Sequence, residues 1–416
     1  MFPAFSFSQG EFNNWYFGNY AGVTFNSGVP VYLTDGLQAF PGYNVSLSDS
    51  TGVFLFSSNS QVVYNRYHGW MPNGLDLHGI CMSFLQACFA VPNIESPNLY
   101  YLFTTDLGGY GLEYSIINME LDGGLGDIEP GQKCIPIPGM TKAFGAVTGT
   151  RHKNNKDAWV VVKISDTNNN NYASFLINSS GLNTVPVLSN STVPVEFDPC
   201  EIKISPDGTH LILTRSANDF FEYCRFNPET GQVTPLFHFM PSPFSGGDST
   251  STICAEFSVN SKYLYVCTKP VYLGTGYLFQ YDATLTDSTV FMESESLIGT
   301  VPYRCALQLG PDWKIYCTDL MVDSLHVINY PDIQGPGCNL QYNAVYLKNR
   351  TCIDGFPQFL QRYKAYIHSE GFCQGDSIHF SGDIWPPADS IRWNFGDPGS
   401  GSNNYSTLST PVHFYS

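Results

Sequence analysis

Ile202-Lys-Ile-Ser-Pro-Asp-Gly-Thr-His-Leu-Ile-Leu213 is the stretch that decides the fold. A short alternating strand runs into Ser205-Pro-Asp-Gly208. Pro sets φ there and Gly supplies the left-handed turn position, so the chain reverses into a continuous apolar strand. The same unit recurs along the sequence. Val45-Ser-Leu-Ser-Asp-Ser-Thr-Gly52 precedes Val53-Phe-Leu-Phe56, and Pro92-Asn-Ile-Glu-Ser-Pro-Asn98 precedes Leu99-Tyr-Tyr-Leu-Phe103. Later copies lead into Ala158-Trp-Val-Val-Val162, Tyr263-Leu-Tyr-Val266 and Lys314-Ile-Tyr-Cys317. The apolar strands begin at residues 53, 99, 158, 210, 263 and 314, a period close to fifty. Hairpins repeating at that period indicate the blades of a β-propeller.

Six blades follow from these hairpins. A seventh is expected from the two ends, with Trp15-Tyr-Phe-Gly18 and Val23-Thr-Phe25 at the start and a strand in Gly355-Phe-Pro-Gln-Phe-Leu360 at the finish. Closing the ring in this way removes exposed sheet edges. The reading is therefore all-β: a seven-bladed β-propeller over residues 11–363, closed by N- and C-terminal strands. After it the pattern changes, and residues 364–416 are expected to form a partial PKD domain, an incomplete Ig-like β-sandwich, since about fifty residues fall short of the roughly 100 of such a fold.

Composition agrees. Of 416 residues, 43% are hydrophobic and 15% aromatic, enough for a large core, while Gly (38) and Pro (27) suit many turns. The net charge of −17 and the lack of any Lys/Arg cluster exclude nucleic acid as a partner, because phosphate binding needs a basic footprint. No apolar run has the length of a membrane span, so membrane insertion is not expected. Residues 1–10 read as the remnant of a secretory signal peptide, and twelve cysteines suit an oxidising, extracellular compartment.

Several stretches resemble large secreted proteins of Bacteroidetes that pair a propeller with PKD repeats. They are Asn14-Trp-Tyr-Phe-Gly-Asn19, Met71-Pro-Asn-Gly74, Leu121-Asp-Gly-Gly-Leu-Gly-Asp127, Ser205-Pro-Asp-Gly208, Gln308-Leu-Gly-Pro-Asp312 and Gly355-Phe-Pro-Gln-Phe359. Trp393-Asn-Phe-Gly-Asp397 is similar to the PKD hallmark, with Asn394 in place of its usual Asp. The resemblance implies export, often by the type IX system, and a surface role near adhesion and gliding. It supplies no catalytic residues.

No nucleophile elbow, phosphate loop or sialidase-type box is present, and the acids Asp49, Asp157, Asp207 and Asp312 fall in turns, where a carboxylate holds its own backbone. His68, His78 and His152 are candidate ligand-binding residues that would meet at one face, although nothing in their spacing demands a metal. Trp70 and Trp313, in loop or turn positions, are candidates for stacking on sugar. Cys254 and Cys267 are placed symmetrically about one hairpin turn, and Cys305 and Cys317 about the next, so each pair is a candidate disulfide. Cys338 and Cys352 form a third candidate pair; the alternative is buried thiols packed as small apolar residues.

The function expected is an extracellular, non-catalytic module that binds polysaccharide or a surface protein and is held on PKD repeats, without cofactor. A carbohydrate-active enzyme with its site at the channel mouth is the alternative, and a structural spacer is the third reading. Acids converging on one mouth favour the enzyme, aromatics and amides favour binding, and a plugged mouth favours the spacer.

Overall fold

The computed structural model describes residues 10–415 apart from 83–84, 107–108, 166–169, 193–199, 216–219, 243–249, 271–274, 303, 361–363, 372–376 and 386–389. The expected signal-peptide remnant therefore lies, except for Gly10, outside the described residues. The chain divides into two compact units, Met1–Gln361 and Arg362–Ser416.

In the first unit the hairpin chemistry produces strands where it predicts them. The apolar strands are Phe54–Ser58, Leu99–Thr105, Ala158–Ser165, His210–Arg215, Tyr263–Pro270 and Ile315–Cys317. The turns before them are held by their own side chains. Asp49 Oδ1 accepts from the amides of Thr51 (2.8 Å) and Val53 (3.0 Å), and Asp207 Oδ1 accepts from that of Thr209 at 3.0 Å.

Seven antiparallel sheets follow one another in this unit among the described residues. The second to seventh each open with an inner strand: Val45–Ser48, Cys88–Pro92, Ala143–Arg151, Cys200–Ile204, Thr250–Phe257 and Leu307–Leu309. Successive inner strands lie side by side. Their alternation explains the continuous apolar runs. Successive side chains of a strand point to opposite faces, and here both faces are covered. Tyr263, Tyr265 and Cys267 pack on the seventh sheet, whereas Leu264 and Val266 pack on the fifth. The last sheet meets the first through Trp15, Phe17, Val23 and Phe25 against Tyr316, Leu325 and Val327. The result is an all-β, propeller-like ring.

The closing element differs from expectation. The first sheet draws all its strands from residues 14–40, in the order Val31–Leu33, Ala21–Thr24, Asn14–Asn19 and Ala39–Phe40. The segment 355–360 forms no strand, and its one bridge is the parallel pair of Pro357 with Asn44. Pro357 has no N–H to give to a ladder. The segment is fixed by burial instead. Phe356 packs on Trp15 and Phe17, Leu360 enters the cluster between the third and fourth sheets, and Asp354 pairs with Arg304 (Nε to Oδ1 3.1 Å). Two glycines permit the approach. A Cβ on Gly355 would lie 2.2 Å from the Gly42 carbonyl carbon, and one on Gly18 would lie 2.4 Å from the Thr351 oxygen. Beside Gly18, the Asn19 amide donates to that same oxygen at 2.8 Å.

In the second unit, Lys364–Glu370, Ser377–Trp385 and Val412–Phe414 form one sheet, and Trp393–Asn394 pairs with Tyr405–Ser406. The Trp393-Asn-Phe-Gly-Asp397 stretch supplies the local core. Trp393 and Phe395 are buried against Phe380, the Trp393 indole donates to the Leu408 carbonyl at 2.8 Å, and Asp397 meets His413 at 3.1 Å.

Gly355→Ala is expected to destabilise the ring by about 1–3 kcal/mol or more, since the added methyl meets backbone that cannot rotate away. Chemical denaturation of the full chain checks this, and an unchanged midpoint would refute the tight approach.

Candidate functional site

The axis of the ring is polar and filled. Glu201 and Lys203 alternate with Ile202 and Ile204 on one inner strand, so the two charges share a face. Lys203 Nζ lies 3.2 Å from Glu256 Oε2, 3.5 Å from Glu201 Oε1 and 2.8 Å from Gln308 Oε1. Lys203, Glu256 and Gln308 stand about one repeat apart on successive inner strands, which is how the ring gathers them. Glu256 Oε2 also accepts from the Leu309 amide at 3.1 Å, and Glu201 Oε2 from that of Ala255 at 3.3 Å. At the end where the inner strands begin, Gln86 bonds both peptide groups of Ile202 and donates to Gln358 Oε1 at 2.5 Å. Segment 355–360 thus stops that end.

These carboxylates are occupied rather than free for substrate. Burial pushes Glu201 up to about 7, against the opposing pull of Lys203. Burial alone would lower the Lys203 ammonium, but Glu256 and Glu201 outweigh it and hold the amine above its usual range. Elsewhere, fully buried Glu222 accepts from the hydroxyls of Tyr172, Ser191 and Thr192 and from the Thr192 amide. Two open hollows of about 340 and 370 Å³ lie around His238 and Ser288, on the outermost strand of the fifth sheet and the helix Ser288–Glu293, not on the inner strands.

A second cluster reaches solvent. His78 Nδ1 lies 2.9 Å from Glu113 Oε2, and its ring stacks on Tyr110 at 4.0 Å. Glu113 is buried behind it while the His78 side chain is 38% exposed. The Cys134 sulfur completes a trio whose donor atoms all lie within 4.8 Å of one another. Such a set is able to hold a divalent ion or to exchange a proton. Burial raises the Glu113 carboxyl despite His78, and burial also raises the Cys134 thiol, which argues against an activated nucleophile.

The three candidate histidines do not come together. His68 is a buried packing residue between Phe54 and Tyr16, 3.8 Å from Asp35, and burial lowers its pKa. His152 sits in the turn after the inner strand Ala143–Arg151, where its Nε2 meets the Glu229 carbonyl at 3.0 Å. Inner strands run parallel, as the Gln86–Ala146 bridge records, so His152 lies at the opposite end of the sheets from the His78 loop. Trp313 occupies a comparable turn at that opposite end, with φ of 67°, half-buried. Trp70 is exposed on the outer return of the second sheet, paired with Tyr64. The two tryptophans therefore share no mouth.

The disulfide expectations are corrected. Cys254, Cys267, Cys305, Cys317, Cys338 and Cys352 are free thiols. Cys254 and Cys267 do face each other across their hairpin. In the next hairpin the register puts Leu307, not Cys305, opposite Cys317. Cys338 and Cys352 belong to different core clusters.

Sequence reasoning missed Lys203, Glu201, Glu256, Gln308, Gln86, Glu113 and Tyr110. The signal for the first four was a polar residue on an otherwise apolar inner strand, repeated near the blade period.

No family model and no curated protein sequence matches the chain. Among solved structures it is similar to the periplasmic gluconolactonase PpgL of Pseudomonas aeruginosa, at 9% identity and TM-score 0.49, over 81% of this chain and 97% of that one. TolB of Acinetobacter baumannii gives 10% and 0.37, over 82% and 79%. Sqt1 of Chaetomium thermophilum gives 11% and 0.42, over 91% and 98%. Likeness at this level carries no argument about activity, and the fold rests on the sheets described above.

The raised Glu201 carboxyl has a consequence for stability. Below about pH 4.5 it is protonated folded and unfolded alike; between about 4.5 and about 7 unfolding releases a proton, so this contribution, up to roughly 3 kcal/mol, is lost as pH rises. Glu201→Gln is expected to flatten the pH dependence of urea unfolding across that window. An unchanged slope would show that Glu201 ionises normally.

Proposed function

We propose that the first unit is a seven-bladed β-propeller acting as a non-catalytic interaction module, secreted or displayed at the cell surface, with the second unit a PKD-type sandwich. No helix among the described residues is long and apolar enough to cross a membrane. The observation that carries the reading is the state of the axis. Its acids are paired with Lys203 and its mouth is stopped by residues 355–360, which disfavours a hydrolytic site there.

Apolar and aromatic side chains are exposed at the same end instead. Tyr20, Leu37, Met82, Tyr110 and Met321 stand in reversals around the stopped mouth. Contacts tie three of these reversals together: the Tyr20 amide donates to the Gln38 carbonyl at 3.1 Å, and the Asn19 side-chain amide reaches the Met321 sulfur at 3.6 Å. An exposed apolar surface rimmed by polar groups marks an interaction site, and Tyr110 with His78 offers a flat ring beside a carboxylate, a combination suited to sugar. Display on PKD-type repeats would raise avidity without a tight single site. Polysaccharide, or a surface protein, is the partner class.

A second reading, a carbohydrate-active enzyme, is favoured by one observation: the His78–Glu113 pair joins a raised carboxyl to an exposed imidazole.

The full chain applied to an array of immobilised polysaccharides tests both. Binding weakened at least tenfold by Tyr110→Ala, with an unchanged unfolding midpoint, is the expected result. Binding that Tyr110→Ala leaves intact would overturn the face assigned here. Release of reducing sugar that Glu113→Gln abolishes would replace the binding reading with the enzymatic one.

A further inference from the structure

The sixth and seventh sheets bring four cysteines to one buried spot. Cys254 and Cys267 are Cα partners on the first two strands of the sixth sheet. Cys305 lies two residues before the first strand of the seventh, and Cys317 ends the second. The pairs Cys254/Cys305 and Cys267/Cys317 stand one repeat apart, so the ring superposes the same two positions of neighbouring sheets. All four are at most 1% exposed. The sulfurs of Cys254, Cys267 and Cys305 lie within 4.8 Å of one another, and that of Cys254 is 3.8 Å from that of Cys305. Cys317 lies beside Cys305, and its thiol donates to the Thr318 carbonyl at 3.4 Å.

We propose that Cys254, Cys267 and Cys305 hold a structural zinc ion that clips the sixth sheet to the seventh, with Cys317 turning from the Thr318 carbonyl to supply the fourth sulfur. The geometry fits. A tetrahedron with Zn–S bonds of about 2.3 Å has edges of about 3.8 Å, which is the Cys254–Cys305 separation. The donor set fits as well: four soft sulfurs, two from each sheet, with no opening to solvent, describe a closed site rather than a catalytic one. On binding, each thiol gives its proton to solvent and the zinc–thiolate centre carries two negative charges. Lys203 lies close enough to Cys254 to be felt electrostatically, as does His326 at Cys305, so cationic or ionisable groups stand beside that charge. Apolar packing alone would not require the sulfurs of Cys254, Cys267 and Cys305 to converge. In an oxidising compartment the ion would also keep neighbouring thiols from oxidation, in keeping with four free cysteines at this spot.

The full chain, purified under argon with reductant from zinc-supplemented medium, is the material for the test. Elemental analysis is expected to give about one zinc per chain, released when a mercurial caps the thiols. Cobalt exchanged for zinc is expected to show thiolate-to-metal charge-transfer absorption and the ligand-field bands of a tetrahedral site. Cys305→Ser is expected to lose the metal, whereas Cys88→Ser, buried between the second and third sheets, is expected to keep it. If Cys305→Ser does not fold, the cobalt spectrum of the unaltered chain decides. Fully reduced protein that takes up neither ion would overturn the proposal. So would protein isolated from its native compartment with a Cys254–Cys305 disulfide, seen as an intact mass lighter by the hydrogens lost.

Discussion

A sheet apolar on both faces is stable only when both are covered, and a row of such sheets has no end that satisfies this. The ring resolves the conflict, so everything else depends on the contact of the seventh sheet with the first. Trp15 is the centre of that contact. It is fully buried, with ring centroids 4.9 Å from Phe25, 5.3 Å from Phe356 and 5.5 Å from Tyr316. Two of these partners come from the far end of the unit. Offset and edge-on aromatic pairs add about 0.5–1.5 kcal/mol each beyond their buried area, so the joint is strong where the chain supplies no covalent continuity.

Ring closure also explains the axis. Inner strands held side by side leave a core too narrow for large side chains from every sheet, and polar groups that meet there must satisfy one another. Lys203 is the hub. It is 3% exposed, with carboxylates on two strands and an amide on a third. Removing one member of such a group leaves an uncompensated buried charge, at a cost of about 3–5 kcal/mol. The cluster therefore belongs to the architecture, and recognition falls to the surface around it.

The hairpins were legible because turn chemistry is local. Asp49 and Asp207 hold their own turns whatever the rest of the chain does, and the apolar strands start within a residue of the positions read from the sequence. The closing segment was expected as a strand and forms none, since only the tertiary approach to Gly42 and Tyr43 shows why Gly355 and Pro357 replace a ladder. Symmetry about a turn found the facing pair Cys254/Cys267 but failed for Cys305, because the register of Leu309 with Ile315 shifts the partner of Cys317 to Leu307. The histidines failed for another reason: which end of a sheet a turn occupies depends on strand direction, and His78 and His152 fall on opposite ends. The convergence of Lys203, Glu256 and Gln308 needed the ring itself.

The position of segment 355–360 in the chain sets an order of events. Trp15 lies on the first strand of the ring, yet Phe356, more than three hundred residues later, covers it. The loop entropy of that contact must be met before its reward arrives, which makes the step slow. Until Phe356 has emerged, the Trp15 face of the first sheet is a half-covered apolar surface, so the nascent ring carries an aggregation-prone face until its last segment is made.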